Sequence, residues 1–255
     1  PKETAILVAP NISNESAYVT QKFARTILKT NNILTDTDIS TQYIEPLINR
    51  LGFAASTNTI WNIENSDCIL VINANITEEY NLLGLPIKSA QRNGGKVITI
   101  DTRETETASF ADKWIRPKPG SETLLIQSII QKMITLKKGE LDNIFEGISP
   151  TEYLNNLSEL SDETVYEYTG ISANDIDTIT CELFNAQSVS LIYASDNISK
   201  THINNYVNSI IDLTIISQNI FIENGGFYPL SQGSNQQGII DMGCRSDLLP
   251  GHKLL

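Results

Sequence analysis

Three polar clusters, each following or opening an apolar segment, carry residue types suited to holding a ligand rather than breaking its bonds. Asn73-Ala-Asn75-Ile-Thr-Glu78-Glu79 follows an apolar run ending at Ile72, Asp101-Thr-Arg103 follows one ending at Ile100, and Gly120-Ser121-Glu122 opens a long apolar-periodic stretch. A carboxylate just inside a helix can accept two parallel hydrogen bonds from the edge of a planar ligand, and a glycine beside it lets the backbone approach closely. Arg103 can clamp a phosphate or stack on a ring. Asn75 and Glu78 can meet sugar or phosphate groups. Each has a plainer reading as well. Ser121-Glu122 is good helix capping whatever the ligand, Asp101 and Arg103 can form a structural ion pair, Asn75 can hold a turn, and Glu78 can dress a helix start. A fourth cluster closes the chain: Gly233-Ser-Asn235-Gln-Gln237-Gly238, running to Asp241-Met-Gly243 and then Leu249-Pro250-Gly251.

The elements that must position these residues alternate between strands and helices. Ala5–Ala9, Asp67–Ile72, Lys96–Ile100 and Val189–Tyr193 are near-continuous apolar runs of strand length, as expected of strands buried on both faces. Helices are predicted over Ala17–Leu28 behind Asn14 and Glu15, over Pro86–Arg92 before Gly94-Gly95, and over Thr123–Leu136 before Lys137-Lys138-Gly139. Two more are predicted over Asn174–Phe184, opened by Ser172, and from Ile203 to about Ile216. This alternation predicts an α/β fold of mostly parallel sheets flanked by helices, with any ligand in the crevice beyond the carboxyl ends of the strands.

Composition narrows the function classes. With 255 residues and 40% apolar content the chain can bury a sizeable core, and its net charge of −12 argues against a nucleic-acid partner. No apolar run approaches the roughly 20 residues that cross a bilayer, and the first residues lack a secretory pattern, so direct membrane insertion is not expected and a cytoplasmic setting is. Cys68, Cys181 and Cys244 lie far apart, so they build neither a zinc site nor an iron-sulfur cluster by themselves. His202 and His252 have no ligand partners at metal-site spacing; His202 reads as a surface or capping residue, and Trp61 and Trp114 as core aromatics.

The tail loop resembles a signature of the molybdopterin oxidoreductases, which include formate dehydrogenases and the large iron-sulfur subunit of NADH:quinone oxidoreductase. The three strand-end clusters fit the same resemblance in order and spacing, as that superfamily's Gly-x-Asn-Pro, Asp-Pro-Arg-x-Thr, and Ala-Asp followed by Pro-Gly-Thr/Ser-Asp. The resemblance covers nearly the whole chain. It implies formate dehydrogenase-like dinucleotide-binding domains and molybdopterin guanine dinucleotide as cofactor. Glu122 would then pair with the guanine edge beside Gly120 and Ser121, Arg103 and Asp101 would serve phosphate, base or ribose, Asn75 and Glu78 would meet sugar or phosphate, and Gly233 and Asn235 would lie along the pterin. It further implies a discontinuous first domain (residues 1–35 and 232–255) and an inserted Rossmann-like second one (36–231), the whole being a central fragment.

Where the sequence departs from the family, it departs at positions of chemistry. By the same resemblance, Ile39 stands where formate dehydrogenases place the Cys or selenocysteine that ligates the metal, Ser40 where His follows, and Ser231 where an Arg meets the substrate carboxylate. Ile offers a metal no lone pair, and Ser cannot replace a bidentate cation. Asn73 replaces a Gly, and Asp196 falls in what is usually a Gly-x-Gly turn. The favoured expectation is therefore a non-catalytic scaffold in an NADH:quinone oxidoreductase-like electron-transfer complex, its pterin retained or lost. Its partners would be other domains of its own chain and iron-sulfur or NADH-oxidising subunits, any iron-sulfur cluster would belong to an upstream region, and membrane association would come only through the complex. The alternatives are a catalytic formate dehydrogenase alpha subunit with a local shift near Asp36–Thr41, and a stand-alone nucleotide-binding module using Asp101, Arg103 and Glu122.

Overall fold

The computed structural model describes residues 3–35, 44–136, 160–195, 198–199, 201–218, 222–231 and 233–255. The chain divides into two compact units, Pro1–Gln42 with Ser231–Leu255, and Tyr43–Leu230. As the alternating pattern predicts, the fold is α/β with parallel sheets flanked by helices.

In the first unit, β1 (Ile6–Val8) pairs in parallel with β2 (Ile33–Thr35), the crossover between them being α1 (Asn14–Phe23) and a π-helical turn (Ala24–Leu28). Asn14 and Glu15 do not stand ahead of the helix. Ser13 is the cap, its hydroxyl accepting from the Ser16 N–H, because it occupies the extended position from which a side-chain oxygen reaches a free helix donor. Lys29, at φ 54°, ends the π turn in the left-handed conformation.

The second unit is built on a five-stranded parallel sheet. Its chain runs through α2 (Ile44–Leu51), a 3-10 turn (Ile60–Asn65), β3 (Cys68–Ile72), α3 (Ile76–Glu79), α4 (Asn81–Arg92), β4 (Lys96–Ile100), α5 (Glu106–Phe110) and β5 (Lys113–Ile115). It continues through α6 (Glu122–Leu136), α7 (Asp162–Thr169), α8 (Ala173–Asn185), β6 (Val189–Ala194), α9 (Ile203–Ile216) and β7 (Gly226–Leu230). The strand order is β5-β4-β3-β6-β7, so the chain winds outward from β3 in one direction and from β6 in the other. β3 pairs with β4 (Leu70 with Ile98) and with β6 (Leu70 with Leu191). Every residue of β3 and β6 is buried, which explains the unbroken apolar runs. Ile69, Val71 and Ile192 pack with Ile76, Ile87 and Tyr228 in one core cluster. Trp61, by contrast, is 55% exposed, and Trp114 is half-buried with Arg116 over its ring, because the first sits on a surface 3-10 turn and the second on an edge strand.

The chain then returns to the first unit with α10 (Gln236–Asp241) and a hairpin of β8 (Leu248–Leu249) and β9 (Lys253–Leu254). One side chain ties this return to α1. The Arg25 guanidinium donates to the side-chain oxygens of Gln21 (2.7 Å) and Asn31 (3.2 Å) and to the carbonyls of Gly243 (2.9 Å), Arg245 (2.8 Å) and Leu248 (2.7 Å). A planar fork can satisfy several carbonyls at once in this way, and a Lys cannot. Arg25→Met is expected to destabilise this unit by about 1–3 kcal/mol, the usual cost of stranding hydrogen-bonding groups. Hydrogen exchange should show lost protection over 243–249 with the five-stranded sheet unchanged.

Candidate functional site

The carboxyl ends of the central strands and the starts of two long helices enclose a cavity of about 710 Å³ in the second unit, within the size range of ligand pockets. It is lined by Asn73, Glu79, Asp101, Thr102, Arg103, Pro119, Gly120, Glu122, Thr123, Ile198, Ser199 and His202. The cavity straddles β3 and β6, the neighbours from which the sheet is wound in opposite directions, where open α/β sheets bind their ligands.

Asp101 closes β4. Its Oδ1 accepts the Arg103 backbone N–H at 2.9 Å and its carbonyl accepts the Trp114 indole at 2.9 Å. The Asp101–Arg103 pair thus meets through the backbone, and Arg103 stays exposed at the cavity. Burial pushes the Asp101 carboxyl up from its ordinary value, opposed by the N–H groups of Arg103 and Thr102 and by the Arg103 charge.

Glu122 is the first residue of α6 and is only 6% exposed. Among the described residues nothing hydrogen-bonds or pairs with its carboxylate, which borders the cavity and is open to a ligand there. The turn before it depends on Gly120 at φ 85°, which disfavours any side chain, and a Cβ built there would meet nothing within 4 Å. Ser121 does not act as the expected cap. Its hydroxyl donates to the Lys118 carbonyl at 2.6 Å and closes the turn instead.

Asn73, at the end of β3, has φ 52° and donates its backbone N–H to the Ile100 carbonyl at 2.9 Å. Its amide reaches the Tyr206 hydroxyl (3.4 Å), which donates to the Ala194 carbonyl (3.0 Å). A left-handed position tolerates Gly or Asn best, which suits Asn73 to this turn.

The remaining expected site residues lie elsewhere. Asn75 is buried at the start of α3, its side chain accepting from the Thr77 hydroxyl, and does not line the cavity. Glu78 is exposed and outside it, and the next residue, Glu79, takes the lining position: on a helix one residue turns the side chain by about 100°. Gly233 and Asn235 belong to the other unit. The Asn235 amide donates to the Ile12 carbonyl (2.7 Å) and Asn14 Oδ1 (2.8 Å), and a Cβ on Gly233 would lie 2.4 Å from Pro10. Ser231 lies in that unit as well, while Ile39, Ser40 and Asp196 fall outside the described residues. His202, expected as a surface or capping residue, makes no capping bond and lines the cavity at the start of α9. The strand-end rule that singled out Arg103 would have found it, since it follows β6.

A family model described as molybdopterin oxidoreductase matches residues 1–249. The chain belongs to the molybdopterin oxidoreductase family. It is 32% identical over 268 residues to the F420-dependent formate dehydrogenase subunit alpha of Methanocaldococcus jannaschii, covering 98% of this chain and 38% of that protein. It is 29% identical to formate dehydrogenase H of Escherichia coli, covering 94% of this chain and 34% of that one. It therefore spans well under half the length of these relatives. Among solved structures, acetylene hydratase from Pelobacter acetylenicus shares the fold, with a TM-score of 0.67 at 18% identity over 84% of this chain and 30% of that chain.

Because the folded protein raises the Asp101 pKa, it favours the protonated form, and Asp101 costs stability that grows as pH rises above the unfolded carboxyl's ordinary value. Asp101→Asn keeps an oxygen for the Arg103 N–H and removes the buried charge. It is expected to raise the melting temperature at pH 8 by a few degrees, an effect that shrinks as the pH is lowered into the acid range.

Proposed function

We propose that this chain is the dinucleotide-holding part of a molybdopterin oxidoreductase large subunit and that the cavity of its second unit takes the guanosine diphosphate end of the cofactor. The observation that carries this reading is the Glu122 carboxylate, buried and unpaired on the cavity wall. Guanine presents two adjacent donors, its ring N–H and exocyclic amine, which match two carboxylate oxygens. Adenine and cytosine each present a donor beside an acceptor and do not match. Arg103 and the starts of α6 and α9 answer the pyrophosphate. Asp101 is placed to accept from ribose hydroxyls. The residues present therefore fit the group.

Bound, the pterin would supply metal-centred redox chemistry, and the residues of this unit would fix only its nucleotide end, excluding water from the base through the Glu122 and Gly120 wall. The residue types Ile39, Ser40 and Ser231 support the non-catalytic scaffold reading within an electron-transfer complex, with iron-sulfur or NADH-oxidising subunits as partners. The similarity to formate dehydrogenase alpha subunits favours a second reading, in which the complete protein oxidises formate.

Two measurements on the full-length protein separate these. Metal analysis together with formate-dependent dye reduction should give neither stoichiometric molybdenum or tungsten nor turnover if the scaffold reading holds, whereas metal with turnover establishes the second. For the cavity itself, Glu122→Gln replaces one acceptor with a donor. It is expected to weaken binding of a guanosine diphosphate sugar by about 1.5–3 kcal/mol, roughly ten- to hundredfold in Kd. Equal affinity in wild type and variant would remove the base-recognition role.

A further inference from the structure

Resting on the cavity reading above, we infer that Trp114 and Arg116 are positioning residues for nucleotide binding. They hold the Asp101-Thr102-Arg103 turn of the cavity wall in place without touching the ligand. Neither lines the cavity, whereas Asp101, Thr102 and Arg103 all do. The Trp114 indole donates to the Asp101 carbonyl at 2.9 Å, and Arg116 Nε donates to the next carbonyl, that of Thr102, at 3.1 Å. The Arg116 guanidinium also lies over the Trp114 ring, 5.7 Å from its centroid, within the range of a cation–π contact. Two side chains, two residues apart and so on one face of the strand, thus grip two successive carbonyls of the turn and brace each other.

The turn needs this support because the sheet ends there. β5 is an edge strand, and its pairing with β4 stops with Ile100 opposite Ile115, where the Asp101 N–H donates to the Ile115 carbonyl at 3.1 Å. The next anchor along the chain is Thr105, which caps α5. Between the two, the bond from the Arg103 N–H to Asp101 Oδ1 fixes the shape of the turn but not its place. The bonds from Trp114 and Arg116 tie that shape to β5. From β5 the chain runs directly through Pro117 to Pro119, Gly120 and Glu122, which form another part of the wall. The pair therefore sets Arg103 and Asp101 at a fixed spacing from Gly120 and Glu122. A ligand that spans both parts gains from this, since a loose wall must be ordered at the moment of binding.

The probe is GDP-mannose, titrated calorimetrically into the full-length protein prepared free of pterin. Trp114→Phe keeps the ring and removes the N–H. Arg116→Met removes the bond to Thr102 at an exposed position, and serves alone should the first variant fail to fold. Each is expected to weaken binding about three- to tenfold, the range of one lost hydrogen bond. Hydrogen exchange over 101–105 should rise in both. Coupling separates positioning from general destabilisation: the penalty of either variant should largely vanish in an Arg103→Gln background, where the turn has little left to present, and persist in a Glu122→Gln background. An equal penalty in the two backgrounds would show a merely structural role and overturn the inference, as would wild-type affinity or unchanged exchange in both single variants. Absence of GDP-mannose binding in wild type would sink the cavity reading and this inference with it, a failure distinguishable from that of the Trp114–Arg116 pair alone.

Discussion

The second unit depends on the two-sided parallel pairing of β3, hydrogen-bonded to β4 on one edge and β6 on the other. Parallel strands all end on the same side, so each must be followed by a turn leading into a covering helix, and helix starts gather along that edge. Winding outward from two adjacent strands prevents any connection from crossing between them, and a gap opens at their ends. Asn73 and His202 border that gap from the two inner strands, Asp101 and Arg103 from the next, and Gly120 and Glu122 from the start of α6. None of them is close to another cluster in sequence. The pairing of Ile72 with Ile100 and Tyr193 brings them to one place.

Within that gap the polar groups divide according to whether the protein already satisfies them. Asp101 is tied to the Arg103 and Thr102 backbone and Asn73 to Ile100 and Tyr206, so both shape the cavity as well as lining it. Glu122 has no such tie. The helix start favours its negative charge, since free N–H groups lie in the first turn. A site so arranged is partly supported when empty and gains most from a ligand that brings donors.

How far the sequence disclosed this follows from which signals are local. β3, β4 and β6 were legible because strands buried on both faces must be apolar at every position, and α8 because Ser172 accepts from the Asp175 N–H as its spacing requires. β5 and β7 were not legible. β7 reads Gly-Phe-Tyr-Pro-Leu, and Pro229 is tolerated there only because the strand is at the sheet edge, which the sequence does not reveal. The π turn over Ala24–Leu28 has no sequence signature. That Arg103 and Glu122 reach the cavity was legible because strand ends and helix starts are readable. Glu78 was preferred to Glu79 because a four-residue helix is too short for periodicity to fix its facing.

The tail loop shows how a strong motif can also be fixed by packing. Its small and polar residues at first suggest ligand contacts, yet most are accounted for by packing within the first unit. A Cβ on Gly238 would lie 2.1 Å from Asn14 Oδ1, and one on Gly243 would lie 2.6 Å from the Pro250 nitrogen. Gly243 also needs its φ of 79°, and its carbonyl is held by Arg25. The Cys244 thiol, buried and pushed up to about 11, donates to the Ala17 carbonyl at 3.2 Å, anchoring the loop from below. These constraints would hold the loop whether or not a pterin lay along it. The motif is thus accounted for in part by backbone geometry that disfavours larger side chains, while the ligand reading rests on Glu122, which among the described residues has no partner.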